Sequence, residues 1–213
     1  METSLTKRDN SSANICECIN FVFERGTESK AYRWNKFSNL FNVIGKQLPS
    51  ELSKVPCLNR EYFHIKGVSG ASGSWSKLMY IAILDSRLSR GFNGLTPTIG
   101  IYPALIFSQN CDSVFLTYMI GVGMKKEKEL RRTVSLIRDR LEYDGFDDDY
   151  ETLKTIHDNH LYDLATVFFK QFDKASLVDP ERFMDALEKT VQIHEEFVSS
   201  GSAVRCLYPD KQF

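Results

Sequence analysis

Two histidines three residues apart, His157-x-x-His160, would share one face of a helix and are of a type that holds metal. No third ligand accompanies them at a recognisable spacing, so a metal is not expected there. Cys16-x-Cys18 lacks the second pair that a structural zinc site requires, and both thiols fall in a stretch read as helix, core or surface. The acidic run Asp147, Asp148, Asp149 has no Glu-x-Lys partner of the kind a metal-dependent nuclease uses, and reads as a solvated turn. His194 is expected to pack within the last helix and His64 to sit on the outside of a strand. There is no Gly-x-Ser-x-Gly elbow and no phosphate loop; Gly121-Val-Gly-Met-Lys125 lacks the Ser or Thr that must follow its lysine. No catalytic residue, metal or cofactor is therefore expected.

What remains is a polar loop, Gly67-Val-Ser-Gly-Ala-Ser-Gly-Ser-Trp-Ser-Lys77, just ahead of an apolar run. Three glycines at a spacing of three cannot fill a core. They let backbone approach another surface and, with the serines, offer N–H and hydroxyl donors. Around the loop stand Trp75, Tyr80, Tyr102 and Tyr118. Alternation along strands puts Tyr80 with Ala82 on one face, and Tyr102 with Ala104 and Ile106 on one face. Aromatics beside alanines leave room for a planar ring. They equally fill a core between sheet and helices, and residue physics alone leans to the core.

These residues need a sheet to hold them. Residues 78–84, 99–107 and 113–120 are short, apolar and rich in Ile, Val, Tyr and Phe, so they read as strands, with 62–66 a weaker fourth. The five polar residues 108–112 suit a hairpin loop. Helices flank the strands. Residues 14–25 predict a short helix after a polar, disordered start, and residues 31–47 predict a longer one that Pro49 stops. Residues 125–141 carry an apolar stripe at 130, 134, 137 and 141. A helix from about 150 towards 172 and one from 179 to 199 follow, the last opened by Asp179-Pro180-Glu181 and ended by Gly201. Strands in the middle and helices around them make the class α+β, with a central, mostly antiparallel twisted sheet over about residues 62–120. The 213 residues suggest one domain with extensions: 1–30 an N-terminal extension, 31–201 the domain, 202–213 a tail or linker.

A net charge of −1 does not announce a nucleic-acid binder, yet a local basic face would suffice to hold phosphates. Five scattered cysteines, no leader-like start and no apolar run of about 20 residues point to a reduced, cytoplasmic chain and away from a membrane.

In its order of parts the chain resembles a known family. Strand, glycine-rich loop, Tyr80-Ile-Ala-Ile-Leu84, a spacer, Gly100-Ile-Tyr-Pro-Ala-Leu-Ile-Phe107, then Val114-Phe-Leu-Thr-Tyr118 and a glycine are similar to the N-terminal domain of McrB, the specificity subunit of methylcytosine-dependent (type IV) restriction systems. Asp179-Pro-Glu-Arg-Phe183 and Ser199-Ser-Gly201 resemble its close, so the likeness covers roughly residues 30–201. The resemblance implies a non-enzymatic module that recognises 5-methylcytosine or 5-hydroxymethylcytosine in duplex DNA by flipping the base into a pocket. It implies a GTPase or nuclease domain or subunit as partner in a phage-defence restriction complex. By position, the family's pocket tryptophan falls on Tyr80 and its pocket leucine on Ile106. Its loop aromatic falls near Ser72, a departure that Trp75 is expected to compensate, with Tyr102 completing the pocket. Lys66, Lys77, Arg87 and Arg90, with the Ser69, Ser74 and Ser76 hydroxyls, are the expected contacts to the DNA backbone, and 86–98 the groove-probing loop. The alternative is an interaction or assembly module that keeps the fold without the pocket; Ser72 is its best support.

Overall fold

The computed structural model describes residues 2–31, 39–68, 79–88, 95–123, 126–153, 160–176 and 179–207. Five strands form one antiparallel sheet in sequence order: β1 (Phe63–Val68), β2 (Tyr80–Asp85), β3 (Ile101–Phe107), β4 (Ser113–Ile120) and β5 (Thr166–Asp173). The helices in chain order are α1 (Glu2–Ala31), α2 (Asn39–Asn42), α3 (Leu48–Leu52), α4 (Glu127–Arg138), α5 (Tyr150–Leu153), α6 (His160–Ala165), α7 (Pro180–Ser199) and α8 (Ser202–Leu207). The architecture is the expected α+β, with the sheet at its centre.

Every residue of β2, β3 and β4 is buried. Helices cover both faces, which is why these strands read as continuous apolar runs instead of alternating ones. The register puts Ile81, Ile83, Leu105, Phe107, Val114 and Leu116 on one face, and Tyr80, Ala82, Ala104, Ile106 and Phe115 on the other. The first face packs on α1, on the helical run 39–52 and on the N-terminal half of α7. On the second, Tyr80, Ala82, Ala104 and Ile106 belong to a cluster with α4, α6, α8 and the C-terminal end of α7, while Phe115 packs with Leu153 and Phe169. The sheet is thus a partition between two cores, and α7 contributes to both.

The N-terminal helix is longer than its apolar signal suggests, running from Glu2 to Ala31 instead of 14–25. Ile15, Ile19, Val22 and Phe23 are all buried, so the segment read as an extension supplies part of the first core. Pro49 does not stop its helix. A π-helical turn, Val43–Gln47, precedes it, and Pro49 then falls in the first turn of α3, where its missing N–H has no intrahelical partner to lose. The helix expected from 150 towards 172 is α5 and α6 followed by strand β5. Thr166-Val-Phe-Phe-Lys-Gln-Phe-Asp173 is β-branched and aromatic, and it pairs with β4 instead of continuing the helix. Residues 202–207, read as tail, form α8 and bury Ala203, Cys206 and Leu207. The start of α7 is as read: Asp179 accepts from the backbone N–H of Glu181 and Arg182 at 3.1 and 3.2 Å. Gly201 follows its end at φ +70°.

Gly67 has a reason other than loop freedom. It lies within β1, and a Cβ there would stand 1.8 Å from the carbonyl oxygen of Ile44 in the π-helical turn. Strand and turn approach backbone to backbone. Gly67→Ala should therefore separate them and destabilise the fold by about 2–3 kcal/mol, seen as a lower midpoint in urea with an unchanged slope.

Candidate functional site

The residues brought together on the second face of the sheet form a buried, close-packed group, the candidate slot. Ala82 and Ala104 are direct cross-strand partners, and Tyr80 and Ile106 are the next pair. Tyr102 lies two residues before Ala104 on β3 and so points the same way. Two methyl groups thus make a low floor between larger side chains. Tyr80 is 8% exposed and Tyr102 2%, while Ala82 and Ala104 are fully covered. The floor is closed.

The three expected pocket residues within the described part of the chain, Tyr80, Tyr102 and Ile106, therefore share one face. A fourth, Tyr162, was not expected. It comes from α6, and its ring centre lies 6.3 Å from that of Tyr80 at 52°. Its only sequence signal was an aromatic before the buried Leu164, too common a pattern to single out. Tyr102 is tied differently: its hydroxyl donates to the Pro97 carbonyl. Burial, more than any neighbour, pushes the Tyr80 and Tyr102 phenols above their ordinary range, so both stay protonated at neutral pH. The slot is lined by neutral rings and hydroxyls, not by groups able to take up protons.

At the edge of the sheet, Lys66 on β1 is the cross-strand partner of Ala82 and is exposed. It is the described cation that shares the slot's row of the sheet. His64, on the same face, is exposed as read. Ser69, Ser72, Ser74, Trp75, Ser76, Lys77 and Arg90 lie outside the described residues.

Arg87 has another occupation. Its backbone N–H and its guanidinium both bond Asp85, at 2.6–3.0 Å, and the guanidinium also forks onto Glu195 of α7 at 3.1 Å through two nitrogens. It stacks 3.8 Å above the Tyr62 ring. Beneath it, Asp85 Oδ2 accepts from His194 Nε2 at 2.9 Å, and both side chains are fully buried. The other ring nitrogen, His194 Nδ1, is hydrogen-bonded to the Tyr118 hydroxyl, 3.1 Å away. Burial and then the Asp85 charge keep Tyr118 protonated and able to donate. Burial alone would raise the Asp85 carboxyl; the hydrogen bonds from His194 and Arg87 outweigh it and hold the group at about 2. The network resembles a proton relay, but it is enclosed and joins β2, β4 and α7.

The other candidates resolve locally. Asp148 accepts from the Tyr143 hydroxyl at 2.8 Å, and Asp149 caps the start of α5 through Thr152. Cys16 is buried, Cys18 partly so, and both are free thiols. His157 lies outside the described residues, and among the described residues no three His, Cys, Asp or Glu side chains are grouped to hold a metal. Among them, too, no helix is long and apolar enough to cross a membrane.

The structure is a helix-clad antiparallel sheet with a buried group of tyrosines on one face. Residues 25–199 match the family described as MrcB-like, N-terminal domain, and the chain belongs to that family. Membership sets its class, a DNA-recognition module of a restriction system. A comparison with curated proteins finds no match.

The Asp85 network carries a pH signature. Its carboxyl sits near 2 when folded against about 3.9 in an unfolded chain, so the folded form holds its charge where the unfolded form has taken a proton. That contribution, about 2–3 kcal/mol, is present above about pH 4 and is lost as pH falls towards 2. Asp85→Asn should remove this acid-limb slope in a denaturation series and lower stability at pH 7 by about 3–5 kcal/mol, because Arg87 and His194 lose a buried partner.

Proposed function

We propose that the chain recognises modified cytosine in duplex DNA by receiving one extruded base at the tyrosine-walled slot. The observation that carries this reading is the Ala82–Ala104 pair, two small residues set among Tyr80, Tyr102 and Tyr162 on a buried sheet face. Those alanines leave the smallest side chains on that face next to its largest rings, the arrangement a planar ring would need if a neighbour moved. The closed floor requires a ring to move when a base enters. Tyr102 is tied to backbone and almost wholly buried, whereas Tyr162 is partly exposed, so the Tyr80–Tyr162 side is taken as the entrance.

The energetics are balanced. Extruding a base costs a few kcal/mol of stacking and pairing. Stacking on aromatic rings returns about 1–3 kcal/mol per base. A C5 methyl adds only about 1 kcal/mol, so phosphate contacts supply most of the affinity. Lys66 is the phosphate contact beside the slot, and Lys77, Arg90 and the Ser69, Ser74 and Ser76 hydroxyls extend it, with Ser72 and Trp75 on the pocket side. Arg87 takes a positioning part instead. Its charge is neutralised by two carboxylates, and it anchors the start of the 86–98 segment. The chain targets DNA without cutting it, and cleavage belongs to a GTPase–nuclease partner of the restriction complex.

Gel shifts on duplexes with plain, 5-methyl- and 5-hydroxymethylcytosine test the reading. The domain should prefer a modified duplex over the plain one. Ala104→Leu, which fills the floor at a stability cost of about 1–3 kcal/mol, should abolish that preference and leave weak general binding. Lys66→Ala should weaken all duplexes alike and reduce the salt slope by about one. Full preference retained in Ala104→Leu would sink the slot as the site.

A further inference from the structure

We propose that Gly121 and Gly123, just past the end of β4, are positioning residues for DNA binding: they fix the far end of the 86–98 segment, so that Arg90 meets a phosphate of the duplex. The inference rests on the phosphate contact proposed for Arg90 and is independent of the base slot. The connection from β2 to β3 covers residues 86–100, and connections of that length are usually functional. It leaves and re-enters the sheet on neighbouring strands, about 5 Å apart. Arg87 holds its start through Asp85 and Glu195. Its end is held by a backbone rail. The register that pairs Ile101 with Ile120 continues beyond both strands. Gly121 N–H donates to the Gly100 carbonyl at 2.8 Å, and Gly123 N–H to the Thr98 carbonyl at 3.0 Å. The Tyr102 hydroxyl donates to the Pro97 carbonyl between them and the segment.

This approach requires glycine. A Cβ on Gly121 would overlap the Thr98 backbone, and one on Gly123 would lie 2.7 Å from the Thr98 carbonyl oxygen. Gly100 stands at φ +89°, a conformation that favours glycine. A Cβ there would be 3.9 Å from Leu88 Cβ, so the two ends of the connection lie side by side. Glycine at a strand end loses more backbone entropy than other residues and marks the close approach of another backbone. What the approach gives is position. Between Arg87 and Thr98, both bonded to the body of the domain, stands Ser89-Arg90-Gly91-Phe92-Asn93-Gly94. Arg90 is its one charge, and a guanidinium suits a phosphate through two parallel donors. Fixed flanks lower the ordering entropy that such a contact costs.

The test is a double-mutant cycle on the full chain, read as affinity for a plain and a 5-methylcytosine duplex over a series of salt concentrations. Arg90→Ala should weaken both duplexes about fivefold and lower the salt slope by about one. Gly121→Ala, which pushes Thr98 off the rail, should do the same. The double variant should bind within about 1.5-fold of either single one, because both changes remove one and the same contact. Gly123→Ala takes the place of Gly121→Ala if the latter does not fold. A lower unfolding midpoint with affinity and salt slope unchanged makes the glycines structural only and overturns the inference. Losses that multiply in the double variant overturn it as well, and so does an Arg90→Ala chain that binds like the wild type. A wild-type chain that binds both duplexes equally counts against the base slot and leaves this inference standing.

Discussion

One buried carboxylate sets the terms for much of this domain. Asp85 ends the central strand β2 with its side chain fully enclosed, and an isolated charge there would be prohibitive. It is tolerable because three elements bring it donors: His194 from α7, Arg87 from the turn that follows β2, and, behind His194, Tyr118 from β4. Glu195 then takes the other side of the Arg87 guanidinium. Each group is oriented by the next, so the long C-terminal helix has one rotational setting against the sheet. An apolar contact would hold α7 as tightly but would not fix its rotation as closely, because dispersion is non-directional and hydrogen bonds are not.

That setting matters on the opposite face. β2 carries Asp85 towards α7 and, through the alternation of a strand, Tyr80 and Ala82 towards α6. Holding the end of β2 rigid holds the floor of the slot at its register with β3. The domain thus separates two tasks across one sheet. One face is a hydrogen-bonded and apolar clamp. The other is a buried, ring-covered face whose smallest residues sit where two strands pair. Binding sites built on paired strands keep their geometry better than sites built on loops alone.

Much of this was legible from residue order. β2, β3 and β4 were visible because helices cover both faces and the strands became unbroken apolar runs. The start of α7 was visible because Asp179-Pro180-Glu181 combines a cap, a fixed φ and an acid at the helix N-terminus. The shared face of Tyr80 and Ala82, and of Tyr102, Ala104 and Ile106, followed from the two-residue strand period. β5 was missed although Thr166, Val167, Phe168 and Phe169 favour a strand, because Leu164, Phe168 and Phe172 also fit a helical spacing; only pairing with β4 decides between them. The length of α1 was missed because its polar first turns carry no apolar stripe.

The candidate site divides in the same way. The chain's own order determined which residues occur on one strand face and that no phosphate loop or nucleophile elbow was present, since those are local patterns. Tertiary structure alone decided that Ala82 faces Ala104 and that Tyr162 arrives from 82 residues away to meet Tyr80. It also decided that Arg87, which as a lone cation beside a loop looked like a phosphate contact, is consumed by Asp85 and Glu195. The reason is physical. A strand's period is a property of neighbouring peptide units, whereas a slot or an ion pair exists only where distant segments are brought within a few ångströms, and a charge has no partner to show until the chain has folded.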